Sequence, residues 1–317
     1  MSTFYFLIQQ TMFYSIPLLI VALGGMFSER SGVVNIALEG IMIVGAFISL
    51  YFMRSMQGTI SGQLLLVLSM LVAVGSGMLI SLLHAYASIN MKANQVISGT
   101  AVNLFAPAFA IFTARAFIGV QQVTFINQYR IAAVPGLSSI PVLGPLFFTN
   151  TYITTYIGFA ILVISWFVLY KTRFGLRLRA CGEHPQAADA AGINVYRMRY
   201  AGVLISGALA GLGGLVLTVP VTTAFDGQVA GYGFLALAVL IFGQWKPGRI
   251  LFAAFFFGFM KTIAAAYTGI PWLLQLGIPG NFFKMTPFIM TIIVLTFTSK
   301  KSAAPKAAGE PYDPGKR

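Results

Sequence analysis

The residues that could do chemistry in this 317-residue chain are few, and they gather in three places. The first runs Gly24-Gly25, then Ser28-Glu29-Arg30-Ser31-Gly32, with Asn35 and Glu39 close behind in otherwise apolar sequence. The second offers the amides of Asn94, Gln95 and Asn103, with His84 upstream. The third is the stretch 171–199, KTRFGLRLRACGEHPQAADAAGINVYRMR, which carries six basic and two acidic residues. No set among them makes a catalytic constellation. No Lys is preceded by Gly and followed by Ser or Thr, so there is no P-loop for a nucleotide's phosphates. The two histidines stand far apart and Cys181 is the single cysteine, so neither a paired-His metal motif nor a nucleophile–base set is present. The chain is expected to hold no cofactor or metal of its own and to be no enzyme. The polar groups point instead to recognition and to movement of helices.

The elements that must position them follow from composition. The chain is 58% hydrophobic and only 9% charged, against roughly 25% charged in soluble domains. That excludes intrinsic disorder, and a lone cysteine excludes a disulfide framework. The net charge of +13 would suit a nucleic-acid binder, but no soluble body is available to carry it. An all-α, polytopic integral membrane protein remains. Residues 1–28, 55–91, 93–114, 131–170, 200–225 and 262–283 contain no charged side chain. A spanning helix needs about 20 apolar residues, and the runs lack the strict alternation of barrel strands. About nine spans are expected, at 8–27, 33–53, 63–88, 96–115, 149–170, 200–221, 229–245, 249–269 and 285–299. The seventh and ninth are short and could be tilted or re-entrant. Residues 1–299 then form the transmembrane domain, and the polar, basic stretch 300–317 is expected as a disordered tail. The amino-terminal run has no basic region ahead of it, so it reads as a first span rather than a cleaved signal.

Lys and Arg positions orient the chain. With 171–199 cytoplasmic, four following spans return Lys300-Lys301 to the same side, and Lys246-Pro247-Gly248-Arg249 falls inside as well. Counting back over five spans places the amino terminus outside. In that arrangement 15 of the 20 basic residues are cytoplasmic.

Two segments invite functional readings beside plainer ones. The glycines and polar residues at 24–39 predict a helix interrupted near the membrane, its freed backbone groups covered by neighbouring side chains. An acidic Glu39 inside a span usually faces a partner or an aqueous cavity. The cluster either lines a translocation path or is a bonding cluster that fixes two helices. In 171–199, Pro185 suits the first turn of a helix, the alanines favour helix, and Gly192 is placed to end it. The result is a short helix with a small-residue face that another protein's groove could grip, or a simple solvated loop. Gly207 and Gly211 have the spacing that permits close helix contact. Lys261 falls mid-span, and Cys181 reads as a packed cysteine.

These residues also carry a family resemblance. Gly182-Glu183-His184-Pro185-Gln186-Ala187-Ala188-Asp189-Ala190-Ala191-Gly192-Ile193 resembles the coupling segment of bacterial ABC importer permeases of the branched-chain amino acid and ribose type. His184 stands where that pattern commonly has Asn. SERSGVVNIALEGIMIVGAF (28–47), KANQVISGTAVNLFAPAF (92–109) and ALAVLIFGQWKPGRILFAAFFFGF (236–259) look most like the smaller permease of the nucleoside and simple-sugar branch. The resemblance implies a multi-pass protein of the bacterial plasma membrane that forms a pathway with a second permease, as a heterodimer. It implies a separate ABC ATPase that binds ATP and Mg, and an extracellular binding lipoprotein that delivers the small-molecule substrate. Gly182, Glu183, His184, Pro185, Ala187, Ala188, Ala191 and Gly192 would dock in the ATPase. Glu29, Arg30, Asn35, Glu39, Asn94 and Asn103 are candidates for the pathway or the helix break. A stand-alone secondary transporter would need several ionisable residues inside the spans, where only Glu39 and Lys261 fall. No nucleic-acid partner is expected.

Overall fold

The structure, a computed structural model, describes residues 2–60, 62–269, 279–298 and 303–315. Its helices are α1 (Ser2–Arg30), α2 (Leu38–Met56), α3 (Gly62–Ala85, prolonged by a π-helical turn Tyr86–Asn90), α4 (Gln95–Ile118) and α5 (Ile153–Lys171). Two short helices follow, α6 (Arg173–Glu183) and α7 (Pro185–Ala190). The chain continues through α8 (Val195–Val221), α9 (Tyr232–Phe242), α10 (Pro247–Ala266) and α11 (Gly280–Thr298). Their ends follow local chemistry. Asn94 caps α4 by accepting from the Val96 and Ile97 N–H groups, and Gly119 ends it in a left-handed conformation that a side chain disfavours. Asn194 caps α8 through the Arg197 N–H.

Among the described residues seven helices are long and apolar enough to cross a membrane, rather than the nine spans expected. The difference is clearest at 229–245. That segment holds only the 11 residues of α9, about 16 Å at 1.5 Å per residue and half the hydrocarbon thickness. The rest of it is turn and extended chain, so hydropathy alone overstated the helix.

Helix α8 lies at the centre, against α1, α2 and α3. Small residues make this possible. A Cβ on Gly211 would collide with the Ala73 carbonyl and Gly77 of α3, and one on Gly45 of α2 would meet Gly211 itself. Gly207 likewise faces Gly77 and Ser81, and Gly214 faces the Met42 carbonyl. Backbones that approach this closely gain dispersion contacts along the whole crossing, the main source of helix association in lipid. By contrast α4 and α5 leave Ile97, Leu104, Phe112, Val163 and Phe167 exposed, as the lipid or a neighbouring subunit requires.

The two ends of the bundle differ. At one end, β1 (Val123–Thr124) pairs antiparallel with β4 (Ala224–Phe225), and β2 (Ile131–Ala133) with β3 (Thr149–Thr151). Val123, Phe125 and Tyr129 are buried there, so this part of the apolar, Pro- and Gly-rich stretch 116–148 packs back onto the helices. Residues 31–37, Lys92, the 172–194 segment and the α9–α10 turn meet at the opposite end. Residues 303–315 also lie there. The expectation of a disordered tail is corrected for this part, because Ala307 and Tyr312 are buried among residues of α6, α7 and α8.

Replacing Gly211 by Leu should separate α8 from both α2 and α3. Overpacking costs about 1–3 kcal/mol or more, so the detergent-solubilised protein should melt several degrees lower. Gly75→Ala, on an open face of α3, should melt as wild type, and a thermal fluorescence scan of the three proteins checks this.

Candidate functional site

Between α1 and α2 the chain runs without helical bonding, and its polar groups are met from all sides. Ser28 Oγ donates to the Val33 carbonyl at 2.6 Å, and the Ser31, Gly32 and Val33 N–H groups turn back onto Ser28 and Glu29. Gln95 Oε1 accepts from the Val34 N–H at 2.7 Å, while the His84 Nε2 lies 3.1 Å from the Val34 carbonyl. Asn103 bridges the far side, donating to the Ile36 carbonyl at 2.9 Å and accepting from the Gly40 N–H at 2.7 Å. Asn35 is fully buried. It donates to Ser206 Oγ of α8 at 2.9 Å and accepts from the Ala37 N–H. The interruption read from the sequence is therefore present. The structure gathers Asn35, Asn103, Gln95 and His84 around it, whereas Asn94 stays exposed as the cap of α4.

The last turn of α1 links this break to two other elements. Glu29, only 7% exposed, accepts from the Trp245 indole N–H at 2.6 Å. Arg30 donates to the Trp245 carbonyl at 3.2 Å and pairs with Glu183 of α6 at 3.5 Å. Trp245 was not singled out by sequence reasoning. The positive φ of Gln244 and Trp245, which turns the chain sharply between α9 and α10, has no residue-type signal because neither is glycine.

Glu39 sits at a second break. Its two carboxylate oxygens accept from the Gly231 and Gly233 N–H groups, at 2.9 and 2.6 Å, and so cap the amino end of α9. A carboxylate is well suited there, where unpaired N–H groups and the helix dipole both favour negative charge. On one side of this junction a cavity of about 460 Å³ is lined by Tyr14, Thr218, Asp226, Gln228, Tyr232 and Lys261, with Phe288 at its edge. The Lys261 ammonium lies 5.1 Å from the Tyr232 ring centre and 5.2 Å from that of Phe288. On the other side a cavity of about 430 Å³ includes Glu39, Thr100, Asn103 and Gln228. The loop through Asp226 and Gln228 falls between the spans expected at 200–221 and 229–245, but nothing in its sequence says that its side chains line a cavity.

In the 172–194 segment, Thr172 caps α6 by accepting from the Gly175 N–H. Pro185 opens α7, and Gly192, with φ +78, closes it with the Ile193 N–H bonded back to Ala188. Pro185, Ala188 and Gly182 are buried, while His184, Ala187, Ala191 and Gly192 are exposed and Glu183 is half-buried. The outer face of α7 is thus made of small residues, with Gln186 and Asp189 beside them. Cys181 is fully buried beneath it, and burial pushes its thiol up to about 11, a packed rather than a reactive cysteine. Among the described residues no cluster of His, Cys, Asp or Glu could hold a metal ion.

Glycine-packed helices, two interruptions bonded by buried polar side chains and an exposed small-residue helix at one end define a multi-pass membrane protein of the transport class. The family model described as branched-chain amino acid transport system, permease component, matches residues 7–295, and the chain belongs to that family. It is 46% identical to the guanosine ABC transporter permease protein NupQ of Bacillus subtilis, over 98% of this chain and 97% of that protein. It is 42% identical to the nucleoside ABC transporter permease protein NupC of Lactococcus lactis, over 98% of each. A putative glucose ABC transporter permease protein of Haloferax volcanii, TsgC13, is 29% identical over 93% of this chain and 94% of its own length. No solved structure matches the chain.

Glu39→Leu removes the acceptors of two partly buried N–H groups, each costing up to about 1–3 kcal/mol when left unpaired. The variant should melt markedly lower than wild type and than Glu39→Gln, which keeps one carbonyl acceptor. Thermal denaturation of the three purified proteins checks the order.

Proposed function

We infer that the chain is the smaller permease subunit of an ABC importer for nucleosides. The near-full-length similarity to the guanosine and nucleoside permease proteins carries this reading. In it the chain pairs with a second, larger permease. An ATPase subunit binds ATP and Mg at the cytoplasmic face, and an extracellular lipoprotein delivers the substrate. The amino terminus lies outside and the carboxyl terminus in the cytoplasm. Supporting that topology, the basic segment 171–199, Lys92, Lys246 and the tail share one end of the bundle.

The mechanism follows the contacts. The exposed face of α7 docks in a groove of the ATPase, and Ala187, Ala191 and Gly192 leave room for close approach. Closure of the ATPase on nucleotide displaces α7 and α6. Glu183 passes the displacement to Arg30, and the Glu29 and Arg30 contacts pass it to Trp245 and hence to the lower end of α9. Because Glu39 holds the upper end of α9, movement of this short helix reshapes the cavities on either side of it. The chemistry there suits an uncharged, partly aromatic solute. Glu39 fills the helix end that would otherwise attract an anion, while the Tyr14, Tyr232 and Phe288 rings and the Asp226, Gln228 and Thr218 groups offer faces for a base and bonds for hydroxyls.

The similarity to TsgC13 supports a second reading, a simple-sugar importer. Uptake of labelled guanosine by the reconstituted complex separates the two. Unlabelled nucleosides should compete at equal concentration and glucose should not; competition by glucose with none by nucleosides would reverse the assignment. Glu183→Arg places a cation against Arg30 and is expected to cut ATP-driven uptake at least ten-fold while insertion and subunit assembly persist. Unchanged uptake in that variant sinks the coupling role given to 182–193.

A further inference from the structure

The carboxyl-terminal segment 303–315 contacts each of the four turns at its end of the bundle. The Ala303 N–H donates to Gln244 Oε1 of the α9–α10 turn at 2.9 Å. The Ala307 N–H donates to the Gly182 carbonyl at 2.9 Å, and the Lys306 N–H reaches the Glu183 carboxylate at 3.4 Å. The Gly309 N–H donates to the Gly32 carbonyl in the α1–α2 linker at 3.2 Å. Asp313 pairs with Lys92 in the α3–α4 turn at 3.3 Å. Tyr312 is buried against Cys181, Ala188 and Val195, and its ring stands edge-on to Tyr196. Its hydroxyl lies near the Asp189 carboxylate of α7. Burial and that carboxylate push the phenol up to about 12, so it remains a proton donor at neutral pH.

Arg199 shows that the body is shaped for this segment. Arg199 is only 1% exposed, and its guanidinium has no carboxylate within ion-pair distance among the described residues and leaves Nε and Nη2 without partners. What it does have comes from the segment, a bond from Nη1 to the Glu310 carbonyl at 2.9 Å and the Tyr312 ring at 5.9 Å. A buried cation is costly without such partners. The segment also builds one wall of a polar cleft of about 210 Å³ beside α7. Glu183, His184 and Gln186 face Lys306, Glu310 and Pro311 across it.

We propose that residues 303–315 are a strap that completes the ATPase-docking surface, walling the cleft beside α7 and tying α7 to the α1–α2 linker. The proposal rests on the importer reading, in which α7 docks in the ATPase. A short helix of six residues held only by its own flanks would yield locally when pushed. With the strap in place, α6, α7, the linker at Gly32 and the foot of α8 move as one body, and force on α7 reaches the interrupted helices. The strap stays docked through the cycle and positions α7; it is not a latch that must leave.

The test uses the complete complex with its ATPase and binding protein in proteoliposomes. The readouts are guanosine taken up per ATP hydrolysed and the rate of Cys181 alkylation, followed on this chain by mass spectrometry. Deletion of 303–317 should lower uptake per ATP at least ten-fold, with ATP hydrolysis continuing, and should speed Cys181 labelling at least ten-fold. Tyr312→Ala should move both readouts the same way and carries the test if the deletion fails to insert. Tyr312→Phe, which keeps the ring, should retain at least half the wild-type ratio. In wild type, Cys181 should label slowly with and without ATP. An unchanged uptake ratio in the deletion and in Tyr312→Ala overturns the proposal, as does rapid wild-type labelling during turnover. Glu183→Arg is run alongside. If it too leaves uptake unchanged, the importer coupling reading fails; if it alone abolishes uptake, only the strap falls.

Discussion

Everything at the working end of this protein depends on one constraint, that backbone N–H and C=O groups freed by a broken helix must be bonded when no water is at hand. Residues 31–37 leave helical geometry between α1 and α2, and their bonds come from Ser28, His84, Gln95, Asn103 and Gly309 on four separate segments. The break therefore acts as a staple between α1, α3, α4 and the carboxyl-terminal segment, and Asn35 extends it to α8. A group that serves so many elements can be rearranged only when several of them move together.

The second break obeys the same constraint with a charge. Glu39 meets two N–H groups at the start of α9 with two oxygens, and the short helix is thereby fixed at its amino end while Trp245 fixes the other end to Glu29. Because single side chains anchor both ends of this half-length helix, a shift of either anchor bears directly on it. The glycine-lined crossings of α8 with α2 and α3 are the opposite case. Backbone contact at Gly45, Gly77 and Gly211 leaves no slack, so this part of the bundle serves as the frame.

The apolar runs, the interruption near Gly32, the helix start at Pro185 and its stop at Gly192 were legible because each rests on a local rule of hydropathy, backbone freedom or capping. Two readings differ from the structure for different reasons. Residues 229–245 average as apolar, so the turn ahead of α9 was hidden, and the basic, Pro-containing tail looked disordered because its partners lie far away in sequence. Asn103, Gln95 and His84 were noticed as polar residues in spans. That they all serve the same seven-residue linker was not readable, because their spacing along the chain says nothing of which backbone group each will meet.

By itself the sequence determined the class of the protein. Composition decided that the chain must live in lipid, and the positions of Lys and Arg marked one end of the bundle as different from the other, since both depend on additive transfer energies that do not require knowing contacts. Only the tertiary structure decided which polar groups meet. It joined Glu183 to Arg30, Glu29 to Trp245, Glu39 to the end of α9 and Arg199 to the carboxyl-terminal segment. Hydrogen bonds and ion pairs in a low-dielectric interior depend on distance to within a few tenths of an ångström. Partners more than a hundred residues apart are brought to that distance by packing alone.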